Sequence, residues 1–108
     1  MFATCSAVNG YIDNNLVEIG GISDVAKAFF IAESTLYRMF HTELGISFNK
    51  YLESQRLALA ERYLRADRSV TDSCFLSGFT DCSRFISKFK DKFGTTPLKY
   101  KKMIIKNK

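Results

Sequence analysis

This 108-residue chain has one histidine, three cysteines and one proline. A single histidine (His41) and scattered Cys5, Cys74 and Cys82 cannot assemble the four ligands of a structural zinc site. The cysteines are odd in number and lack C-x-x-C spacing, so they read as inert thiols of a reduced, cytosolic protein. His41 has no triad partner in the sequence and reads as a solvated side chain. No apolar run approaches the roughly 18 residues that a membrane span needs. Met1 to Ala7 lacks the basic start and apolar stretch of an export signal. Metal, cofactor, membrane and secretion are all expected to be absent, and no catalytic residue is nominated.

What is present fits one modest domain. Hydrophobic content is 46% and charged content 25%, ordinary for a globular chain. The net charge of +5 is unevenly distributed. Residues 1–54 carry three basic and six acidic side chains, and residues 55–108 carry thirteen basic and five acidic. Such asymmetry points to a polyanion, or an acidic surface, approached by the C-terminal half.

The chain also contains a diverged duplication. ISDVAKAFFIAESTLYRMFHTELGISFNKY, residues 22–51, aligns with VTDSCFLSGFTDCSRFISKFKDKFGTTPLKY, residues 70–100. Ile22, Asp24 and Ala26 match Val70, Asp72 and Cys74, at an offset of 48. Leu36, Phe40, Gly45 and Tyr51 match Phe85, Phe89, Gly94 and Tyr100, at an offset of 49. One residue has therefore been added near the second turn. Each copy reads as helix, tight turn, helix. Phe85, Phe89 and Phe93 have the i, i+4 spacing of one buried helix face. Gly94 then fits a C-cap, Thr96 an N-cap and Pro97 the first position of a further helix. In the first copy, Ser34, Tyr37, Arg38 and His41 make a polar face opposite Leu36, Met39 and Phe40. That face suits base edges in a major groove.

Between the copies, residues 47–66 contain neither glycine nor proline and predict a continuous helix capped by Ser47. Twenty residues would make a strut about 30 Å long, close to the ~34 Å between successive major grooves on one face of DNA. Val8, Tyr11, Ile12, Leu16 and Ile19 predict a first amphipathic helix ending near Gly20-Gly21. A short basic helix from Pro97 to about Met103 precedes a fraying tail. The expectation is an all-α fold of seven helices, with helix-turn-helix units at about 22–44 and 69–93.

The sequence resembles the DNA-binding domain of AraC/XylS-family bacterial transcription regulators. The resemblance rests on Tyr11-Ile12, Val25-Ala26, Arg38-Met39-Phe40, Gly45-x-Ser47-Phe48, Tyr51-Leu52, Arg56-Leu57, Ala60 and Leu64. It continues through Gly78-Phe79, Phe85, Phe89-Lys90, Gly94, Pro97 and Tyr100, and so covers residues 8 to 101. It implies sequence-specific double-stranded DNA binding, with two recognition helices in adjacent major grooves. Carried over by position, it makes Ser34, Tyr37 and Arg38 base contacts in the first reader, and Cys82, Ser83, Ile86 and Ser87 in the second. Lys50, Arg84, Lys88 and Lys90 are candidate phosphate contacts. Arg38 could bind guanine through two hydrogen bonds or touch only phosphate. Tyr37 could meet a thymine methyl, a phosphate or the protein itself.

Three departures from the family pattern stand out. Phe30 occupies a turn position where the family has glycine, Ala32 replaces a hydroxyl cap, and Ser87 stands where arginine is common. A left-handed Phe30 would cost roughly 1–2 kcal/mol. The resemblance also implies a cytoplasmic, nucleoid-associated protein and a partner effector or dimerisation domain, so the chain reads either as a small stand-alone regulator or as an excised C-terminal domain. RNA polymerase is an expected partner, approached by the acidic residues between 13 and 53. Two other readings remain open: a DNA-repair methyl acceptor, which would need an activated cysteine such as Cys82, and a protein-interaction module.

Overall fold

Glycine, proline and short polar residues punctuate the chain into helices, and the structure places them accordingly. The structure is a computed structural model and describes residues 4–106. Within them lie seven helices and no strand: α1 (Cys5–Asn14), α2 (Ile22–Phe29), α3 (Glu33–Leu44), α4 (Phe48–Arg65), α5 (Val70–Leu76), α6 (Cys82–Phe93) and α7 (Pro97–Lys106). The chain divides into two compact units, Met1–Gln55 and Arg56–Lys108, so the division falls inside α4.

In the first unit, α1, α2 and α3 pack against one another. Val8 and Ile12 of α1, Val25 and Ala26 of α2, and Leu36 and Phe40 of α3 are buried. The Phe40 ring meets Phe48 edge-on at 5.5 Å and Tyr51 at 5.4 Å. The Tyr51 hydroxyl donates to Asp13 at 3.2 Å, and the Gln55 amide donates to the same oxygen at 2.7 Å. Burial, together with the Asp13 charge, pushes the Tyr51 phenol up to about 12.

The second unit repeats this design with different residues. Leu57, Ala60, Leu64, Cys74, Phe79, Phe85 and Phe89 form its core. Phe89 meets Tyr100 at 5.4 Å, as Phe40 meets Tyr51 in the first unit. The Tyr100 hydroxyl again donates to a carboxylate, here Glu61, which also pairs with Arg65. Burial pushes the Glu61 carboxyl up, but these hydrogen bonds outweigh it and hold the group below its ordinary range.

The two turns show where the extra residue sits. In the first, the Phe30 and Ile31 amides donate to the Lys27 and Ala26 carbonyls. In the second, Gly78 and Phe79 donate to Phe75 and Cys74, the same pattern at an offset of 48. The helix caps that follow, Ala32 and Asp81, are already offset by 49. Thr80 is the inserted residue.

Phe30 adopts φ 56° and ψ 41°, the left-handed region, where the second copy has Gly78 at φ 104°. A phenylalanine there is strained, and at 95% exposure its ring gains nothing from burial. Phe30→Gly should therefore stabilise the protein by about 1 kcal/mol in denaturant titrations. A loss of stability would mean that the turn is not left-handed in solution.

Two elements differ from the sequence expectation. The first helix ends at Asn14, well before Gly20. The Asn15 side chain turns back to donate to the Tyr11 carbonyl at 2.8 Å, and competition of this kind ends helices. Leu16 and Ile19 are still buried, but from a turn. At the other end, α7 runs to Lys106, so the expected fraying tail is helical up to that residue; Asn107 and Lys108 lie outside the described residues.

Candidate nucleic-acid interface

Burying Leu36 and Phe40 fixes the roll of α3 about its axis. Ser34, Tyr37, Arg38 and His41 are consequently exposed, and Tyr37 is only half covered at 45% exposure. The N-terminus of α3 has no side-chain cap, because Ala32 offers no oxygen. Its free N–H groups and partial positive charge are left to solvent or to an anion. Arg38 also borders a cleft of about 410 Å³ that includes Thr4, Cys5, Met39 and Glu43.

In α6, Phe85 and Phe89 are buried and set the roll in the same way. Ser83, Arg84, Ile86, Ser87 and Lys90 are exposed, and Lys88 is half-buried. Asp81 caps this helix, accepting from the Ser83 amide at 2.9 Å and the Arg84 amide at 3.3 Å. Lys50, in the first turn of α4, is also exposed. Lys92 lies 5.6 Å from the Phe93 ring centroid, and burial lowers its pKa.

The two faces are electrostatically unlike. Helix α3 carries Arg38 against Glu33 and Glu43, whereas α6 carries Arg84, Lys88, Lys90 and Lys92 against Asp91. The first face is polar and near neutral, and the second is cationic with small polar tips.

Cys82 departs from the exposed face assigned to it by sequence. It is the first residue of α6, where side chains lean back over the preceding turn. It is half-buried, and its thiol donates to the Cys74 sulfur at 2.8 Å. An eight-residue spacing gave no hint of that pairing, because it is made by the turn rather than by helical periodicity. Among the described residues, no group of three or more histidine, cysteine or acidic side chains could hold a metal ion. Nor is any helix there long and apolar enough to cross a membrane.

Comparison with known proteins agrees with this geometry. A helix-turn-helix domain family model matches residues 25–103. The HTH-type transcriptional activator RhaS of Yersinia pestis is 33% identical over 88 residues, covering 81% of this chain and 32% of RhaS. An AraC-type transcriptional regulator from Chromobacterium violaceum superposes with a TM-score of 0.84 at 23% identity, covering 92% of this chain and 89% of that one. The DNA-binding domain of AdpA, solved with a target DNA, gives a TM-score of 0.84 at 23% identity, covering 91% and 89%. The chain spans about a third of the length of the curated relatives it matches.

Proposed function

This chain belongs to the AraC/XylS-type helix-turn-helix family, and from that premise we propose that it binds double-stranded DNA in a sequence-specific way to regulate bacterial transcription. The carrying observation is the pair of exposed polar helix faces, on α3 and α6, each backed by two buried core side chains. A buried aromatic core holds the roll of each helix, so its outer side chains are presented at fixed positions rather than on a mobile loop. The proposed binding mode places both helices in adjacent major grooves. Ser34, Tyr37 and Arg38 read bases in one, and Ser83, Ile86 and Ser87 in the other. Lys50, Arg84, Lys88 and Lys90 contact phosphates. Cys82 leaves the reading set, since its sulfur faces Cys74. RNA polymerase, approached by the acidic first unit, and an effector domain supplied elsewhere belong to the same proposal.

Selection of binding sites from random duplexes tests this reading. The protein should enrich an asymmetric site, with more information in the half read by α3. Arg38 can donate two hydrogen bonds to one guanine, whereas the hydroxyls of Ser83 and Ser87 both donate and accept and so discriminate weakly. Failure to enrich any sequence over bulk DNA would overturn the proposal.

Arg38→Ala and Ser87→Arg make the same point in opposite directions. The first should cost about 1–3 kcal/mol at a single base pair and relax preference there. Equal weakening on every sequence would reduce Arg38 to a phosphate contact. The second should sharpen the other half-site, toward guanine, in the same selection. No gain of information there would mean that position 87 does not face bases.

A further inference from the structure

The second helix-turn-helix contains a chemical feature that the first does not. Cys74 and Cys82 occupy the positions of Ala26 and Glu33 in the first copy. Their sulfur atoms lie 2.8 Å apart, only ~0.8 Å beyond the length of a disulfide bond. Cys74 is fully buried in the core of the second unit, and Cys82 packs against that core from a half-exposed position. Both backbones are pinned. The Ser77 hydroxyl donates to the Cys74 carbonyl at 3.0 Å, and the Phe79 amide donates to the same oxygen at 3.1 Å. Asp81 fixes the first turn of α6 through its two capping bonds.

We propose that Cys74 and Cys82 are an oxidisable dithiol, a modification site that hydroperoxides close into an intramolecular disulfide stapling α5 to α6. The proposal does not rest on the DNA-binding reading, because the bond forms within one unit of the free protein.

The two sulfurs take different parts. Cys82 is the one that solvent reaches, so it meets the oxidant. As a thiolate it attacks one oxygen of hydrogen peroxide: the S–O bond forms, the O–O bond breaks, and the departing hydroxide takes up the Cys82 proton as water. Cys74 waits as a thiol, since burial first, then its contact with Cys82 and the Asp81 charge, push it above the ordinary thiol range. Its sulfur attacks the Cys82 sulfenic acid, the S–O bond breaks, and the Cys74 proton leaves with the hydroxide as a second water. Two thiols lose two electrons, and one peroxide becomes two waters. A dithiol reductant reverses the bond by exchange.

Closure fixes the turn at residues 77–81 and anchors the N-terminus of the helix that carries Ser83, Ile86 and Ser87. Cys5 lies in the other unit and takes no part.

The sequence makes the test direct. Trypsin cuts after Arg68 and Arg84 and nowhere between, so both cysteines fall in the single peptide 69–84. The intact protein is treated with hydrogen peroxide without DNA, unfolded, alkylated with iodoacetamide and digested. The proposal expects this peptide to lose both alkyl groups, to weigh two hydrogens less than the reduced peptide, and to regain both thiols with dithiothreitol. The melting temperature of the treated protein should rise by several degrees, a rise absent in Cys82→Ala and retained in Cys5→Ala. A peptide that keeps both alkyl groups overturns the proposal. So does oxidation of Cys82 to sulfinic acid with Cys74 still alkylated, or a disulfide that links two chains.

Discussion

Raising salt from 50 to 200 mM should weaken binding to a matched duplex by about 10³–10⁵-fold, if six to ten phosphates are neutralised. Each lysine or arginine that meets a phosphate releases condensed counterions, and that entropy gain shrinks as bulk salt rises. The second unit should supply most of the slope. It holds Arg84, Lys88, Lys90, Lys99 and Lys102, whereas α3 of the first unit has one cation, Arg38, against two acids. Not every positive charge counts equally. Lys101 pairs with Asp67 at 3.4 Å, and Lys92 leans on Phe93. Exposed Lys90 is the clean probe. Lys90→Ala should lower affinity on all sequences alike and reduce the salt slope by about 1. Fluorescence anisotropy across a salt series measures both quantities. A nearly flat dependence would leave the duplex-DNA reading without its main source of affinity.

The fold was legible because apolar spacing and breakers agreed with each other. Phe85 and Phe89 announced the buried face of α6, while Gly94 and Pro97 marked its end and the start of α7. Gly94 indeed sits at φ 81°, and Pro97 is buried as the first residue of α7. The duplication was readable for the same reason: Phe40 with Tyr51, and Phe89 with Tyr100, are long-range pairs that keep their spacing in the chain. The end of α1 was less legible. Leu16 and Ile19 continue the apolar pattern, and periodicity cannot tell a helix from a turn that buries the same residues. Asn15, whose amide competes for a backbone carbonyl, was the available signal. The sulfur pair lay beyond sequence reasoning altogether. Cys74 was legible as a small core residue, but Cys82 followed the roll of α6 only on paper. Residues at a helix start point back toward what precedes them, and here that is Cys74. The exposed faces were readable because they are what remains once the core residues are assigned. Whether and where each of these side chains would meet a base depends on DNA that the chain does not encode.

Phe89→Ala should unfold much of the second unit while the matched control Leu98→Ala does little. The Phe89 ring is fully buried and lies 4.4 Å from Phe93, 5.4 Å from Tyr100 and 5.8 Å from Phe85, measured between centroids. Truncating such a ring removes its transfer energy and leaves a cavity, and typically costs about 3–5 kcal/mol. A unit of this size holds only roughly 3–8 kcal/mol in total, so the loss is comparable to its whole stability. Leu98, 53% exposed, sits near the same helices without filling the core, and its truncation should stay within about 0.5 kcal/mol. Hydrogen exchange followed by mass spectrometry locates the effect. Amide protection in α5, α6 and α7 should collapse in Phe89→Ala, with smaller losses in α1, α2 and α3, whose buried side chains lie in the first unit. Phe40→Ala, the equivalent change in the first copy, should give the mirror image. If both variants lost protection evenly along the chain, the two aromatic cores would be acting as one cooperative structure, and the division into two compact units would have no energetic meaning.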